Sequence, residues 1–392
     1  MKIGAVLLGE AGNYGDDLIL VAVLSAIRDA DPTAEVAFLS FGSPLPLAEL
    51  TEVVALPPVL ERRRHGAATV WPLRHTLFAD RDLVIFGGGG LLETSHHPRR
   101  PYHWLGSLPP RGSQAAVVGI GLGIGPVSDH WQRFFRRIPS PFSRLHVRDA
   151  ESAQLSRSWG WDTQVCEDFI HGAFLRQWLE AAGVSPGVAG TGSGPRRLGV
   201  SLREWPGADE RRMAQFIMEV AKAESCTAVD FYTLESKNGR GVDVEYVRRV
   251  GALVNGLDTS FHVYDSHNLV SFTRSMASVD VAISMKLHSS AVWAAADIPM
   301  YPVIYAPKMA AFFDRTYRGL ELITQRVAPG APGERVSAQD VVHAALRSAE
   351  AGELPTPEWR PSTVWSAAQQ ARSLAVGAIN KSREMRRGNR AR

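Results

Sequence analysis

The stretch 281–308, VAISMKLHSSAVWAAADIPMYPVIYAPK, holds the residues best suited to chemistry. An apolar run ends at Lys286 and His288, on a turn that reads as the opening of a helix. A second apolar strand follows and ends at Tyr305-Ala306-Pro307-Lys308. Most basic residues of the chain are arginines, so two lysines in one unit stand out. Cations and a titratable imidazole at a strand's carboxyl end suit an anionic ligand on which proton chemistry is done. A lone histidine is more often structural or exposed. Here Lys286 and a helix start both favour a bound anion, which would keep the His288 imidazole protonated as an acid.

Further positions repeat this placement. Gly12-Asn13-Tyr14-Gly15-Asp16-Asp17 follows the first strand and opens a helix. Its glycines let the backbone approach a ligand, and the free N–H groups of a helix start favour an anion. Asn13, Tyr14, Gly15 and Asp16 are therefore candidate ligand contacts, while Asp16 or Asp17 alternatively serves as a simple N-cap. GEAGNYGDD lacks the spacing of the dinucleotide fingerprint. Gly87 to Gly90 follows the strand DLVIF, and Gly88 and Gly89 read either as ligand contacts or as a tight turn under a neighbouring loop. The next segment, ETSHHPRRPYHW at 93–104, suits a sugar through stacking and hydrogen bonds. Its His96, His97 and His103 lack the carboxylate pattern of a familiar metal site, so no metal is expected. GIGLGIGP at 119–126 either lines a cleft or packs structurally. Arg148-Asp149 ends the strand SRLHV, with Asp149 as the expected cap of the next helix. The planar fork of Arg148 can hold a phosphate or carboxylate, or pair with a neighbouring loop. Arg203 stands likewise after LGVSL, before Glu204-Trp205.

The elements that must position these residues form two series. Strands are expected at 2–8, 35–40, 82–86, 115–120, 143–147 and 163–166, with helices at 17–30, 129–137 and 150–159. A run of glycine, serine and proline at 183–195 reads as a linker. Strands then restart at 198–202, 228–232, 261–264, 279–283 and 300–304, with helices at 209–223, 242–254, 269–276, 287–296 and 337–351, and another within 363–382. Alternation of this kind implies parallel strands with crossover helices. The expected fold is α/β, with two Rossmann-like domains facing across a cleft: 1–182, a linker at 183–196, 197–350, and a C-terminal helix and tail at 351–392. Each sheet would turn its carboxyl edge to the cleft.

Composition narrows the class. The chain has 392 residues, 45% of them hydrophobic, and a net charge of only +3, which argues against a dedicated nucleic-acid binder. Cys166 and Cys226 read as separate buried thiols of a reducing compartment. The N-terminus reads as a first strand rather than a signal peptide, and no apolar run approaches the ~18 residues of a membrane span. A cytoplasmic protein is expected. The basic tail from Lys381 to Arg392 is either a solvated end or a contact to the anionic inner face of a membrane.

Taken in order, GNYGDD, GGGG, GIGLGIGP, VRDAES, GVSLREW and SMKLHSSAVWAAADIPMYPVIYAPK resemble the polysaccharide pyruvyl transferase family, over nearly the whole chain to about residue 315. The last piece is similar to the family's Arg-Leu-His motif with its following helix, strand and lysine. The resemblance implies a fold similar to GT-B glycosyltransferases. It implies transfer of pyruvyl from phosphoenolpyruvate onto two hydroxyls of a sugar acceptor, free or lipid-linked, to form a cyclic ketal. It implies no cofactor beyond that donor substrate. His288 matches the motif histidine with an acid/base role, and Arg148 and Arg203 match basic positions expected to hold the donor, with Lys286 and Lys308 beside them. Lys286 stands where the family usually has arginine, which keeps the charge and loses the bidentate fork. A nucleotide-sugar glycosyltransferase and a non-catalytic glycan-binding relative are the alternatives.

Overall fold

The expected alternation of strand and helix is present in both halves of the chain. A computed structural model describes residues 1–7, 12–40, 45, 50–51, 53–56, 59–64, 78–94, 105, 107–109, 113–170, 172–185, 194–236, 241–329 and 335–357. Several expected features lie outside these residues: the histidine-rich part of 93–104, the middle of the linker, the helix within 363–382 and the basic tail.

The first sheet holds β1 (Lys2–Leu7), β2 (Glu35–Ser40), β3 (Val59–Arg64), β4 (Leu83–Gly87), β5 (Ala116–Leu122), β6 (Arg144–Val147) and β7 (Gln164–Val165). Their order is β3-β2-β1-β4-β5-β6-β7, and every pairing is parallel. The second sheet holds β8 (Arg197–Ser201), β9 (Ala228–Thr233), β10 (Asp258–Val263), β11 (Val281–Ser284), β12 (Met300–Ile304) and β13 (Glu321–Leu322). Their order is β10-β9-β8-β11-β12-β13, parallel except for the last pair. The central strands β4, β5, β9, β11 and β12 are buried at every residue. Parallel strands covered on both faces show such unbroken burial, here mostly apolar with Asp230, Thr233 and Ser284 as buried polar positions.

The described helices are α1 (Tyr14–Ala30), α2 (Asp129–Phe135), α3 (Ala150–Arg157), α4 (Gly172–Ala181), α5 (Glu210–Ala223), α6 (Val242–Gly251), α7 (Leu269–Met276), α8 (Leu287–Ala295), α9 (Pro307–Phe312) and α10 (Ala338–Glu350). α1 is apolar almost all round, the pattern of a helix sunk in the core. It begins three residues before the expected start. Asn13 is its cap, accepting from the N–H groups of Gly15 and Asp16, and neither aspartate plays that part. Asp149 does cap α3, accepting from Ser152 N at 2.7 Å.

The two units exchange helices. α4 lies against α8, and Trp178 Nε1 donates to Thr273 Oγ1 at 3.1 Å. α10, expected with the second unit, lies against α1 and β5 of the first. Val336 bridges to Cys166 on the way, and Ser143 Oγ donates to the Pro355 carbonyl at 2.6 Å. α10 buries Val341, Val342, Ala345 and Leu346, a stripe at helical spacing that needs a second apolar face. The outer side of α1 supplies it. Cys166 and Cys226 are free and buried, and burial pushes the Cys166 thiol up to about 12.

Candidate active site

Both sheets reverse direction once. In the first the chain runs outward from β1 to β2 and β3, then returns to β4 on the other side of β1. In the second it runs from β8 to β9 and β10, then returns to β11. Such reversals leave a crevice beyond the strands' carboxyl ends, the usual ligand site of an open α/β sheet. The loop carrying Asn13 and Gly15 follows β1, and Gly88 and Gly89 follow β4. Arg203 and Trp205 follow β8, Glu235 follows β9, Lys286 and His288 follow β11, and Tyr305 and Lys308 follow β12.

The two crevices meet. Tyr14 N donates to the Leu234 carbonyl at 2.9 Å, and Ser236 N donates to the Gly12 carbonyl at 2.8 Å, so Asn13 and Glu235 pair like neighbouring strands. Gly12 sits at a φ of 73°, and a Cβ there would lie 2.0 Å from the Ser236 carbonyl oxygen. Only glycine permits this approach. Asn13 Nδ2 also donates to Glu235 Oε1 at 3.2 Å. Tyr14 is fully buried in the interface, where its hydroxyl bonds Thr273 at 2.7 Å. Its side chain therefore packs the two units together and is not exposed to a ligand. Asp16 is half-buried at the crevice.

His288 is the second residue of α8, and its imidazole lies directly on Gly15. A Cβ at Gly15 would stand 1.5 Å from His288 Nδ1. The first unit thus shapes the seat of the second unit's histidine. The turn before α8 is held by hydroxyls. Ser289 Oγ and Ser290 Oγ donate to the Lys286 carbonyl at 2.8 and 3.0 Å, and Ser284 Oγ bonds Ser290 Oγ at 2.6 Å. All three serines are fully buried.

The cations differ in how they are matched. Lys286 Nζ lies 2.6 Å from Asp243 Oδ2 and 3.6 Å from Glu235 Oε2, so two carboxylates answer its charge. Lys286 chiefly, with Arg203 and Lys308, holds the Glu235 carboxyl below its usual range, and burial opposes them. Arg148 Nη1 bonds Asp168 at 3.0 Å, and its Nε lies 3.6 Å from Asp149. Burial works against the Arg148 charge, but Asp168, Asp149 and the more distant Asp16 outweigh it. A Cβ at Gly123 would come within 2.7 Å of that guanidinium, so the third glycine turn makes room for Arg148. Gly88 has a φ of 59°, and a Cβ there would strike Ile19 of α1 at 2.2 Å. Packing on α1 accounts for that glycine. Gly89, at a φ of 70°, accepts through its carbonyl from Gly123 N at 2.8 Å.

Arg203 is different. Its guanidinium lies 5.6 Å from the Trp205 ring centroid and 5.7 Å from that of Tyr305. Nη1 donates to the Tyr305 hydroxyl at 3.4 Å. Nε is buried without a hydrogen-bond partner, and among the described residues no carboxylate stands within ion-pair distance of Arg203. Lys308 is exposed nearby, close enough to act on both Glu235 and Tyr305. Glu235 and Asp243 act on the Arg203 charge only from beyond ion-pair distance, and a largely buried guanidinium whose Nε has no hydrogen-bond partner suits a ligand that supplies an acceptor. Asp243, Asp168 and Tyr305 were not among the expected site residues. Tyr305 stood in the quoted YAPK piece, and only its neighbours in space single it out.

This is the two-domain plan of GT-B-like proteins. The model of the family described as polysaccharide pyruvyl transferase matches residues 13–307, and the chain belongs to that family. Among proteins of curated function none matches the sequence. Among solved structures, the chain is similar to a putative UDP-N-acetylglucosamine 2-epimerase from Listeria monocytogenes, with 10% identity, a TM-score of 0.56, and 89% of this chain and 96% of that one covered. A UDP-GlcNAc 2-epimerase from Neisseria meningitidis bound to UDP-GlcNAc gives 11% identity and a TM-score of 0.54, with 91% and 93% covered. One from Methanocaldococcus jannaschii gives 10% and 0.52, with 92% and 95% covered. At such identities the likeness is one of fold.

Proposed function

We propose that this protein moves the pyruvyl group of phosphoenolpyruvate onto two hydroxyls of a sugar in a glycan or glycoside, forming a cyclic ketal and releasing phosphate. The observation that carries this reading is Arg203, a largely buried guanidinium with no carboxylate within ion-pair distance among the described residues, which acts with Lys308 on Tyr305. A small, highly charged anion suits such a place. Protonated His288 gives its proton to the methylene carbon of the donor, which makes the adjacent carbon electrophilic. One sugar hydroxyl attacks there, phosphate leaves, and the second hydroxyl closes the ketal. Arg203 and Lys308 stabilise charge on the departing phosphate. Arg148 faces the donor from the first unit while Asp168 fixes its orientation. Lys286 acts on the donor as part of its group with Asp243 and Glu235. Asn13, Gly15, Asp16 and the loops after β4 border the acceptor side. The acceptor is free or lipid-linked, and the basic tail suits an anionic membrane surface. Among the described residues no helix is long and apolar enough to cross a membrane.

Thermal unfolding with phosphoenolpyruvate, and separately with UDP-N-acetylglucosamine, tests the donor. Saturation at a hundred times the dissociation constant adds about 2.7 kcal/mol. The expected result is a rise with phosphoenolpyruvate that Arg203→Ala abolishes. A rise with the nucleotide sugar and none with phosphoenolpyruvate would replace pyruvyl transfer with glycosyl transfer.

A further inference from the structure

The described tyrosines give their hydroxyl protons to protein acceptors, with one exception. Of the eight tyrosines, all but Tyr102 are described. Tyr14 donates to Thr273, whose own proton goes to the Leu269 carbonyl. Tyr232 donates to the Ser275 carbonyl, Tyr246 to the Ala208 carbonyl and Tyr264 to Asp17. Tyr301 donates to Glu224, and Tyr317 to the Tyr305 carbonyl. Tyr305 only accepts: Arg203 Nη1 points at its oxygen from 3.4 Å, and among the described residues no group receives its proton. A buried O–H without an acceptor is costly, so its retention asks for a ligand acceptor.

The surroundings match. The ring is 2% exposed and is held edge-on by Trp205 at 4.8 Å, with Tyr317 fixing the backbone behind it. The charged groups that face the phenol are Arg203 after β8, Lys286 before α8 and Lys308 on α9, with Glu235 and Asp243 behind the cations. Burial drives Tyr14, Tyr232, Tyr246 and Tyr264 upward. Burial also opposes ionisation of Tyr305, yet Lys308 and Arg203 outweigh it, and this phenol moves down. The unengaged proton therefore belongs to a phenol that touches the Arg203 guanidinium, whose Nε has no hydrogen-bond partner.

Resting on the pyruvyl-transfer reading, we infer that the Tyr305 hydroxyl is a further catalytic group, which protonates the departing phosphate and recovers its proton from the second sugar hydroxyl. His288 gives a proton to the methylene carbon, the first hydroxyl oxygen bonds the adjacent carbon, and that hydroxyl's proton returns to His288. The bond from that carbon to the phosphate oxygen then breaks, and its electron pair leaves with phosphate. The Tyr305 proton passes to the same oxygen. The second hydroxyl oxygen takes the vacated place and its proton restores the phenol. One hydroxyl proton thus ends on the methyl group and the other on phosphate, and the enzyme is unchanged.

Tyr305→Phe removes an O–H whose hydrogen-bond contact among the described residues is to Arg203, and it keeps the ring, so the fold persists. Two readouts separate the roles. Inorganic phosphate should raise the melting temperature of wild type and variant alike. Phosphate release from phosphoenolpyruvate, in the presence of methyl hexosides with free 4- and 6-hydroxyls, should fall by about 10²-fold or more in the variant. Turnover within about threefold of wild type would overturn the proposal, because general acid catalysis contributes far more than that. So would a variant that loses the phosphate shift together with turnover, since Tyr305 would then serve binding alone. A wild type that phosphoenolpyruvate does not stabilise, and that releases no phosphate from it with any acceptor, would fail the underlying reading, and Tyr305's role with it.

Discussion

A glycine and a histidine more than two hundred residues apart form one feature. Gly15 has no side chain because the His288 imidazole occupies the space where one would stand. Gly15→Ala must expel the ring, since 1.5 Å is far inside any contact distance. It should therefore copy His288→Ala: turnover falls by about 10²-fold or more while phosphoenolpyruvate still raises the melting temperature. Near-normal turnover in either variant would take His288 out of the reaction. The sequence places both residues at strand ends and suggests why His288 could hold a proton, but their contact is invisible in it. The cations are a similar case. Lys286, Arg148 and Arg203 look equivalent as residues after strands. Only their neighbours distinguish two closely paired charges from the one with no carboxylate within ion-pair distance among the described residues.

Elements explain how those neighbours are held. α1 starts at Tyr14 because Asn13 caps it, and the same side chain reaches Glu235 across the interface. Asn13→Ala should cost about 1 kcal/mol from the cap alone, measured by denaturant unfolding. An unchanged midpoint would mean that the cap contributes nothing to α1. The expected start at residue 17 missed this, because Asp16 and Asp17 are as good by type as Asn13. Asp17 is instead drawn to Tyr264 at 2.7 Å and Ser266 at 2.8 Å in the other unit. β3 was missed as well: VLERRR shows no apolar alternation, and its place as an edge strand comes from pairing with β2. α4 and α9 were not anticipated. Both are short, and α4 takes its place from packing on α8.

The whole molecule is two sheets locked at their carboxyl edges and stapled by exchanged helices. Buried carboxylates brace the second unit. Arg326 chiefly, with Tyr301 and Arg196, holds Glu224 low, and burial opposes them. Asp230 is also held low, since His262, Arg197 and Ser260 outweigh burial. Groups depressed in the folded state add stability above their unfolded value, near pH 4, and lose it as the pH falls through the folded value. Melting temperature should therefore drop on acidification below about pH 4, and Asp230→Asn should show a shallower drop. An equally steep drop in the variant would remove Asp230 from the acid response. The sequence alone determined the two α/β series and the strand ends that carry the candidate site residues, because periodicity and turn residues are local properties of the chain. Tertiary structure decided which helix serves which sheet and, among the described residues, which cation has no carboxylate within ion-pair distance and which phenol keeps its proton unengaged. Those depend on distances between residues far apart in sequence, and a string of residue types holds no such distances.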